Sequence, residues 1–298
     1  MLQMKPPQEM RRDWTVRDHD LAATLGSGQA FGWDQDGSAW VGVIAGRWVR
    51  LWQTGEIVSV ATAEPITDWR WLEHYLALDE DLAAVLATFP DDVPLREAVA
   101  ACRGLRLLRQ DPWEALACFI CSSTKQIVQI RQIVRLLRER YGTPVLVPAG
   151  EAPAFAFPTP ARLAALEERD LRDCKLGFRA PYLLAAARRV ASGELDLPAI
   201  RQMNLDAARA RLMELNGVGR KVADCALLFG FGFPTAFPVD VWVRVALKRL
   251  YFPRARKLSP RRLEEFSSVH FGPNGGYAQQ YLFHYVRTRL GRAWAAAK

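Results

Sequence analysis

The sequence predicts an α+β protein, in which an antiparallel β-sheet domain over residues 1–98 precedes an all-α domain over residues 99–298. Short runs of aromatic and β-branched residues alternate with glycine-containing turns over residues 40–60, which is the pattern of a β-meander. From about residue 99 onward, apolar residues recur at helical spacing instead. Five prolines interrupt residues 142–160, so this stretch is predicted to be an extended connector.

The first domain is expected to contain three strands and two short helices. Residues 40–44 and 48–52 are separated by Ala45-Gly46-Arg47, which is short enough for a hairpin loop, and residues 57–60 continue the meander. Aromatic residues over residues 69–78 lie at helical spacing, and residues 81–89 form a second helix candidate.

The helical domain is predicted to contain a capped helix near its start. Asp111 is a suitable N-cap and Pro112 suits the first helical position, so a helix is predicted over residues 112–120. Residues 127–141 place aliphatic side chains on one face and arginines on the other, which is typical of a surface helix packed on a core. Further helices are predicted over residues 161–169, 181–192, 205–214, 221–230, 240–250, 261–266 and 276–290.

Composition limits the class of protein. The 298 residues are 50% hydrophobic, which is enough for a substantial core, and the formal net charge of +8 favours a polyanionic partner. No apolar run approaches the roughly 20 residues of a membrane span, and residues 1–7 lack the apolar region of a signal peptide. We therefore expect a globular protein that is neither membrane-bound nor secreted.

The positive charge is concentrated in one segment. From Arg244 to Arg262 the sequence contains eight basic residues and no acidic residue. A solvated helix face usually mixes both signs, so this imbalance predicts a surface that faces phosphates.

The five cysteines predict a reducing environment rather than a disulfide framework, because their number is odd and their spacing irregular. Cys118 and Cys121 lie in an apolar helical run without a second pair, so buried thiols are favoured over a zinc site. No cysteine follows Cys225, which excludes a four-cysteine iron–sulfur cluster downstream of it.

The segment Gly217-Val218-Gly219-Arg220-Lys221 gives the strongest chemical signal. Two glycines that flank one apolar residue form a tight turn, and a helix is predicted to begin directly after it. The backbone N–H groups of such a turn bind phosphate. Lys221 stands at the positive end of the helix dipole, which disfavours its charge, and an uncharged amine is a nucleophile. The alternative is an ordinary surface lysine at a helix start.

Two further residues extend this motif. Cys225 lies one helical turn after Lys221, so the neighbouring ammonium is expected to favour the thiolate, unless Cys225 is simply a core residue. Asp240 precedes a predicted helix and is expected to cap it, which leaves one carboxylate oxygen free. A nucleophilic lysine, a carboxylate and a phosphate-binding turn on a basic chain suggest attack at the anomeric carbon of a nucleotide. The free oxygen of Asp240 could then stabilise the positive charge that develops on the sugar near Lys221.

The last predicted helix offers candidates for a base pocket. An amine that attacks the anomeric carbon of a nucleotide requires the base to leave the stack and enter a pocket. Gln279 and Phe283 are one helical turn apart and pair an amide with a stacking ring. Aromatic residues at this spacing also occur in ordinary helix cores, so both interpretations stay open.

Seven collinear segments resemble the 8-oxoguanine DNA glycosylase/AP lyases of the helix-hairpin-helix GPD superfamily, and the resemblance covers most of the chain. It implies an N-terminal sheet domain like half of the TATA-binding protein, followed by a helical domain with its helix-hairpin-helix near residues 205–230. It also implies a repair enzyme that flips 8-oxoguanine from duplex DNA, excises it through a lysine Schiff base and cleaves the strand by β-elimination. The segments begin at Ser27, Leu107, Phe119, Leu176, Leu215, Pro238 and Gly276.

The resemblance assigns a role to each candidate of the site. By position, Lys221 resembles the family's Schiff-base lysine and Asp240 its catalytic aspartate. Cys225 and Phe283 resemble the two residues that sandwich the flipped base, and Gln279 resembles the amide that reads its Watson–Crick edge. No metal or organic cofactor is implied.

Gly28 resembles the glycine whose carbonyl accepts a hydrogen bond from the protonated ring nitrogen 7 of 8-oxoguanine. Ordinary guanine has a lone pair there, and a buried carbonyl left without a donor costs about 1–3 kcal/mol. The expected partner is therefore double-stranded DNA containing 8-oxoguanine, bound by a monomer. Its location is expected to be the cytoplasm, with the nucleoid, in a prokaryote and the nucleus in a eukaryote.

The chain departs from the family pattern where the orphaned cytosine is bound. Thr124 and the two residues after it occupy the place of three asparagines, and Phe178 replaces a common tyrosine, while Arg179 is retained. Gln129 stands at the position of an arginine, which removes a bidentate cationic donor. The sequence therefore predicts a weaker preference for cytosine opposite the lesion.

Other predicted DNA contacts involve the phosphates. Gly217 and Gly219 belong to the phosphate-binding turn. Trp242 stands where the family often has a histidine near a DNA phosphate, and Arg244 is a candidate to make that contact instead.

Two other functions are compatible with parts of the pattern. A glycosylase for alkylated bases on the same fold typically acts without a lysine nucleophile, so Lys221 and the Gly28 segment argue against it. A catalytically silent helix-hairpin-helix DNA-binding protein would not need Lys221, Asp240 and Gln279 together.

Overall fold

The predicted sheet is present in the computed structural model, which describes residues 10–296. Its five antiparallel strands lie in the order β1-β5-β4-β3-β2. The predicted hairpin is confirmed, and its two-residue loop of Ala45 and Gly46 has positive φ at both positions. The strands are β1 (Met10–Thr15), β2 (Trp33–Asp36), β3 (Ala39–Ile44), β4 (Arg47–Thr54) and β5 (Ile57–Thr62). Residues 1–9, on which the signal-peptide expectation depends, lie outside the described residues.

Four short helices occur in this part of the chain, of which the first two pack on the sheet and the other two pack in the core of the helical part. The two predicted helices over residues 69–78 and 81–89 are confirmed in shorter form. The predicted domain boundary between residues 98 and 99 falls inside a helix that begins at the N-cap Asp92. These helices are α1 (Leu21–Gly26), α2 (Arg70–Tyr75), α3 (Leu82–Leu86) and α4 (Val93–Ala101).

The first two long helices of the helical part follow the predicted pattern. The carboxylate of Asp111 accepts a hydrogen bond from the N–H of Glu114 at 2.9 Å and caps α5 (Pro112–Cys121). The next helix, α6 (Ile127–Tyr141), coincides with the predicted range. The proline-rich connector is extended, and it contains two paired strands of two residues each, β6 (Pro144–Val145) and β7 (Ala154–Phe155).

The other predicted helices are present with different bounds, but the one predicted over residues 161–169 is divided in two, and the short helices Leu197–Ile200 and Gly291–Ala296 are not predicted. They are α7 (Pro160–Ala164), α8 (Glu168–Asp173), α9 (Ala180–Ala191), α10 (Leu197–Ile200), α11 (Leu205–Met213), α12 (Arg220–Ala226), α13 (Val241–Leu250), α14 (Pro260–His270), α15 (Gly275–Tyr285) and α16 (Gly291–Ala296). Both α12 and α15 continue into π-helical turns, over Leu227–Phe231 and Val286–Leu290. The hydrophobic periodicity of the sequence does not distinguish these π-helical turns from α-helix.

Helix α15 joins the two parts of the molecule. The hydroxyl of Tyr277 accepts a hydrogen bond from the N–H of Leu107 at 2.9 Å, and the hydroxyl of Tyr281 donates to the carbonyl of Leu105 at 3.1 Å. These buried bonds attach the last long helix to the segment that connects sheet and helices. Over residues 10–296 no helix is long and apolar enough to cross a membrane.

Candidate active site

One cavity of about 380 Å³ lies where the sheet part, α5, α12 and α15 meet. A volume of this size is typical of a small-ligand pocket. The residues that sequence analysis assigned to catalysis and to the base pocket all line it, namely Gly28, Lys221, Cys225, Asp240, Gln279 and Phe283. Side chains that are far apart in sequence are thus brought together in one place.

The glycine-rich turn before α12 has the predicted geometry. Gly217 has φ +81°, and a Cβ at this position would lie 2.3 Å from Cδ2 of Tyr182, so a larger residue does not fit. Val218 is buried, whereas Gly217 and Gly219 are exposed. Helix α12 begins directly after the exposed Gly219, as predicted.

A buried ion pair fixes α12 against α11. The Nε of Arg209 donates to Oδ1 of Asp224 at 2.6 Å, and both side chains are buried. Arg209 also pairs with Asp206 at 2.5 Å. Asp224 lies 3.7 Å from Nε of Arg220 as well, so the pair belongs to a larger network of charges. The pair therefore holds the helix-hairpin-helix in the conformation that places Lys221.

Lys221 extends from the first turn of α12 into the cavity. Its Nζ donates to the hydroxyl of Ser122 at 3.2 Å and lies 5.4 Å from the ring centroid of Phe119. Phe119 itself stacks on Phe229 at 5.5 Å between centroids. The amine therefore contacts the hydroxyl of Ser122 and lies beside an apolar wall in the cavity.

Cys225 lies one turn from Lys221, as predicted, but its expected thiolate character is wrong. The side chain is 4% exposed, and burial raises its pKa to about 12 although the ammonium of Lys221 acts in the opposite direction. Loss of hydration outweighs one neighbouring charge. Cys225 is a neutral thiol that forms part of the cavity wall.

The other predicted buried thiols are confirmed. Cys118 and Cys121 are both buried in α5, and burial raises the pKa of each. Among the described residues, no group of three or more His, Cys, Asp or Glu side chains is placed to hold a metal.

Asp240 is the N-cap that the sequence predicts. Its Oδ1 accepts a hydrogen bond from the N–H of Val243 at 2.8 Å, so it caps α13. Burial raises the pKa of Asp240, whereas the N–H of Val243 and the charge of Lys221 lower it. The carboxylate is therefore held in a fixed orientation at the edge of the same cavity as the amine.

Gln279 is the polar side chain at the inner wall of the pocket. It is only 3% exposed, and its Oε1 finds no hydrogen-bond partner within the described part of the chain. A buried acceptor without a donor costs about 1–3 kcal/mol, which a ligand with an N–H group would recover. The half-buried ring of Phe283 lies one turn further along α15 and provides an apolar surface beside it.

Gly28 reaches the cavity from the N-terminal part. Its φ is +82°, and a Cβ here would lie 2.6 Å from Cδ1 of Ile127. The loop is fixed by the next residue, the fully buried Gln29, which donates to the carbonyl of Arg106 and accepts from the N–H of Leu108, both at 2.8 Å. No hydrogen bond within residues 10–296 reaches the carbonyl oxygen of Gly28.

The residues predicted to bind the orphaned cytosine lie in two neighbouring segments. Phe178 is 53% exposed, whereas Arg179 is buried, lies 4.2 Å from the ring of Phe178 and donates to Oγ1 of Thr124 at 2.5 Å. Gln129 is exposed, and its Oε1 accepts from the N–H of Gln126 at 3.0 Å at the start of α6. In this conformation the guanidinium of Arg179 stabilises the loop between α5 and α6.

The residues predicted to face phosphates are divided between the cavity and the surface. Trp242 lines the cavity beside Asp240, whereas Arg244 is exposed on α13. In the basic segment that begins with Arg244, seven of the eight basic residues are exposed and Arg249 is half-buried.

Sequence reasoning missed several residues that line the cavity. They are Phe31, Phe119, Ser122, Lys125, Phe229 and Arg287. Phe119 and Ser122 belong to a recognised segment, but nothing in the local pattern assigned them a contact with Lys221. Arg287 lies four residues after Phe283, and this helical spacing could have placed it on the same helix face as the base-pocket candidates.

Known protein families match most of the chain, from residue 13 to residue 269. Residues 13–116 match the model of the 8-oxoguanine DNA glycosylase N-terminal domain, and residues 117–269 match that of the HhH-GPD superfamily base excision DNA repair proteins. A probable N-glycosylase/DNA lyase of Methanothermobacter thermautotrophicus is 35% identical over 220 residues, which are 67% of this chain and 69% of that protein. The N-glycosylase/DNA lyase OGG1 of Arabidopsis thaliana is 30% identical over 283 residues, which are 88% and 76% of the two chains.

A solved structure shows the same architecture. It is the Clostridium acetobutylicum 8-oxoguanine glycosylase/lyase in complex with double-stranded DNA that contains cytosine opposite 8-oxoguanine. The two chains are 30% identical with a TM-score of 0.85, over 95% of this chain and 99% of that one.

Proposed function

Since the chain belongs to the 8-oxoguanine DNA glycosylase/lyases of the HhH-GPD superfamily, we propose that its cavity holds an 8-oxoguanine base flipped from duplex DNA. One observation supports this most directly. A nucleophilic amine, a fixed carboxylate, an unpartnered buried amide oxygen and a free backbone carbonyl all line the same cavity. An extruded purine needs such a combination of polar contacts and apolar walls.

The proposed reaction begins with the amine of Lys221. Its lone pair attacks C1′ of the flipped nucleotide, the bond from C1′ to N9 breaks, and the electron pair leaves with the base, which takes up a proton. The carboxylate of Asp240 stabilises the positive charge that develops on the sugar. The amine then loses a proton, the bond from C1′ to the ring oxygen O4′ breaks, O4′ takes up a proton, and a protonated imine forms. Removal of a C2′ proton then expels the 3′ phosphate, which leaves with the electron pair of its C–O bond, by β-elimination.

The same arrangement accounts for a preference for the damaged base. The free carbonyl of Gly28 accepts the N7–H of 8-oxoguanine, and the amide of Gln279 pairs with the Watson–Crick edge. Guanine would leave the carbonyl of Gly28 facing a lone pair, and an unpaired buried group costs about 1–3 kcal/mol. We further propose that one chain binds the duplex as a monomer, wherever the cell keeps its DNA.

Release of the free base tests the proposed substrate. A duplex with one 8-oxoguanine is incubated with the protein, and the released base is quantified beside matched duplexes that carry 3-methyladenine or 7-methylguanine. We expect release of 8-oxoguanine only. Release of the alkylated bases would indicate the alternative glycosylase, and release of none would indicate a silent DNA-binding protein.

We predict a shallow preference for the base opposite the lesion. Gln129 offers a neutral amide where a cationic bidentate donor would recognise cytosine, and the guanidinium of Arg179 is engaged by the loop between α5 and α6. Single-turnover excision from duplexes with each of the four opposite bases measures the preference. A preference for cytosine as steep as in the animal enzymes would contradict the prediction.

A gain-of-function variant provides the matched control for this prediction. Gln129→Arg introduces a bidentate donor, which discriminates between bases by about 1–3 kcal/mol. Its excision rate should therefore become more dependent on the opposite base, with cytosine favoured. Gln202→Arg adds the same cation at an exposed glutamine that does not line the cavity, and it should leave the four rates in their original order.

The exposed side chains of α13 are predicted to bind the DNA backbone. Asp240 caps helix α13, and Arg244 and Lys248 lie exposed one turn apart along this helix. Replacing both with glutamine should lower the slope of log Kd against log salt by about two, since each lost phosphate contact removes about 0.9. Fluorescence anisotropy with an undamaged duplex measures the slope, and the double variant Arg70→Gln, Arg96→Gln serves as a control. An unchanged slope would show that this face does not contact DNA.

A further inference from the structure

Arg287 connects the two sides of the base pocket. It lies in the π-helical turn after α15, one turn beyond Phe283, and its guanidinium carbon is 5.3 Å from the centroid of that ring. Its Nη2 donates to the carbonyl of Gly26 at 2.8 Å. One side chain thus contacts both the stacking ring and the loop that leads to Gly28.

A second bond from α15 holds the same loop. The Nε2 of Gln280 donates to the carbonyl of Ser27 at 3.3 Å. The carbonyls of Gly26 and Ser27 are therefore both engaged by side chains of the last helical segment. The next carbonyl, that of Gly28, is the first one in the loop without a partner among the described residues.

We propose that Arg287 is a positioning residue for recognition of the damaged base, because it sets the separation between the carbonyl of Gly28 and the ring of Phe283. The proposal rests on the proposed function, in which these two groups contact the flipped base. A shift of the loop would move the carbonyl away from N7 while the ring and the rest of the pocket stay in place.

The chemistry of the side chain suits this role. A guanidinium is planar, so it lies against an aromatic ring and still directs N–H groups outward in its own plane. Its bond to the carbonyl of Gly26 is charge-assisted and stronger than a neutral one. Burial and the charge of Arg131 lower the pKa of Arg287, whereas the carboxylate of Asp240 raises it. A lysine would keep the charge but could not make both contacts in one plane.

Binding measurements in a catalytically silent background test the proposal. In the Lys221→Gln protein, Kd is measured for duplexes carrying 8-oxoguanine, guanine or a tetrahydrofuran abasic analogue at one position. Adding Arg287→Ala should lower the preference for 8-oxoguanine over guanine by about tenfold, because a charge-assisted hydrogen bond that positions the loop is lost. Affinity for the abasic duplex, which has no base to read, should be unchanged.

Two further variants and a stability measurement complete the experiment. Arg287→Lys should restore only part of the preference, and Arg289→Ala, which removes an exposed arginine two residues along, should leave it intact. Circular dichroism and Tm confirm that each variant is folded. A preference unchanged in Arg287→Ala, or an equal loss of affinity for all three duplexes, would overturn the proposal. A parent protein without any preference for 8-oxoguanine would instead contradict the proposed function.

Discussion

Lys221→Gln is expected to abolish the covalent adduct with DNA and to lower strand cleavage by more than about a thousandfold, because the amide nitrogen has no nucleophilic lone pair. Glutamine keeps the polarity of the position and can still reach toward Ser122. Borohydride trapping on a duplex with one 8-oxoguanine measures the adduct directly. The same samples, resolved on a denaturing gel, give the extent of strand cleavage.

Lys125 provides a matched control for this experiment. It is the other lysine that lines the cavity, but it lies in the loop between α5 and α6 rather than at a helix N-terminus. Lys125→Gln should therefore keep the adduct. Loss of the adduct in Lys125→Gln and its persistence in Lys221→Gln would assign the nucleophile to the loop instead. Base release without any adduct in the wild type would make water, activated by Asp240, the nucleophile.

Asp240→Asn is expected to lower the rate of base excision by about a hundredfold to a thousandfold, because the developing sugar cation loses its counter-charge. Asparagine is as good an N-cap as aspartate, so α13 should stay folded. Single-turnover kinetics with a saturating concentration of the variant measure the effect on the chemical step. An excision rate equal to that of the wild type would remove Asp240 from the mechanism.

The pH dependence of this residue has a defined sign. Burial raises the folded-state pKa of Asp240 above its ordinary value of 3.8, so excision should decline as pH falls through that raised pKa. The buried charge also costs stability above the unfolded-state pKa, and this cost disappears as the carboxylate becomes protonated on acidification. At neutral pH Asp240→Asn should therefore be at least as stable as the wild type. Its excision rate should not show the decline at acidic pH that is expected for the wild type. Asp240→Ala should be less stable, since it loses the cap.

Most of the helical part could be predicted because its signals are local. The helix over residues 127–141 follows from its apolar stripe, and the start of α5 follows from Asp111 and Pro112. Strand β1 was not anticipated, because five of its six residues are exposed and its sequence has no apolar alternation. Its place at the sheet edge depends on backbone pairing with β5, which no local pattern encodes.

The site residues also fall into two groups, those that local spacing could predict and those that depend on the tertiary fold. Helical spacing was enough to place Cys225 beside Lys221, and to place Phe283 beside Gln279. Gly28 could be identified only by resemblance, since a single glycine has no local signal and reaches the cavity through the tertiary hydrogen bonds of Gln29. The protonation state of Cys225 was predicted wrongly for a related reason. Spacing reveals the neighbouring charge, whereas the burial that outweighs it depends on the whole fold.

The loop with Gly28 and the helix with Lys221 come from segments that match two separate family models, over residues 13–116 and 117–269. Under the proposed mechanism, the carbonyl that distinguishes 8-oxoguanine from guanine and the amine that breaks the bond are therefore encoded in different stretches of the gene. Mutations near Gly28 could redirect the enzyme toward another oxidised purine while the Schiff-base apparatus is passed on unaltered. In such a lineage, repair of new kinds of damage could evolve without any intermediate that has lost the ability to cut DNA.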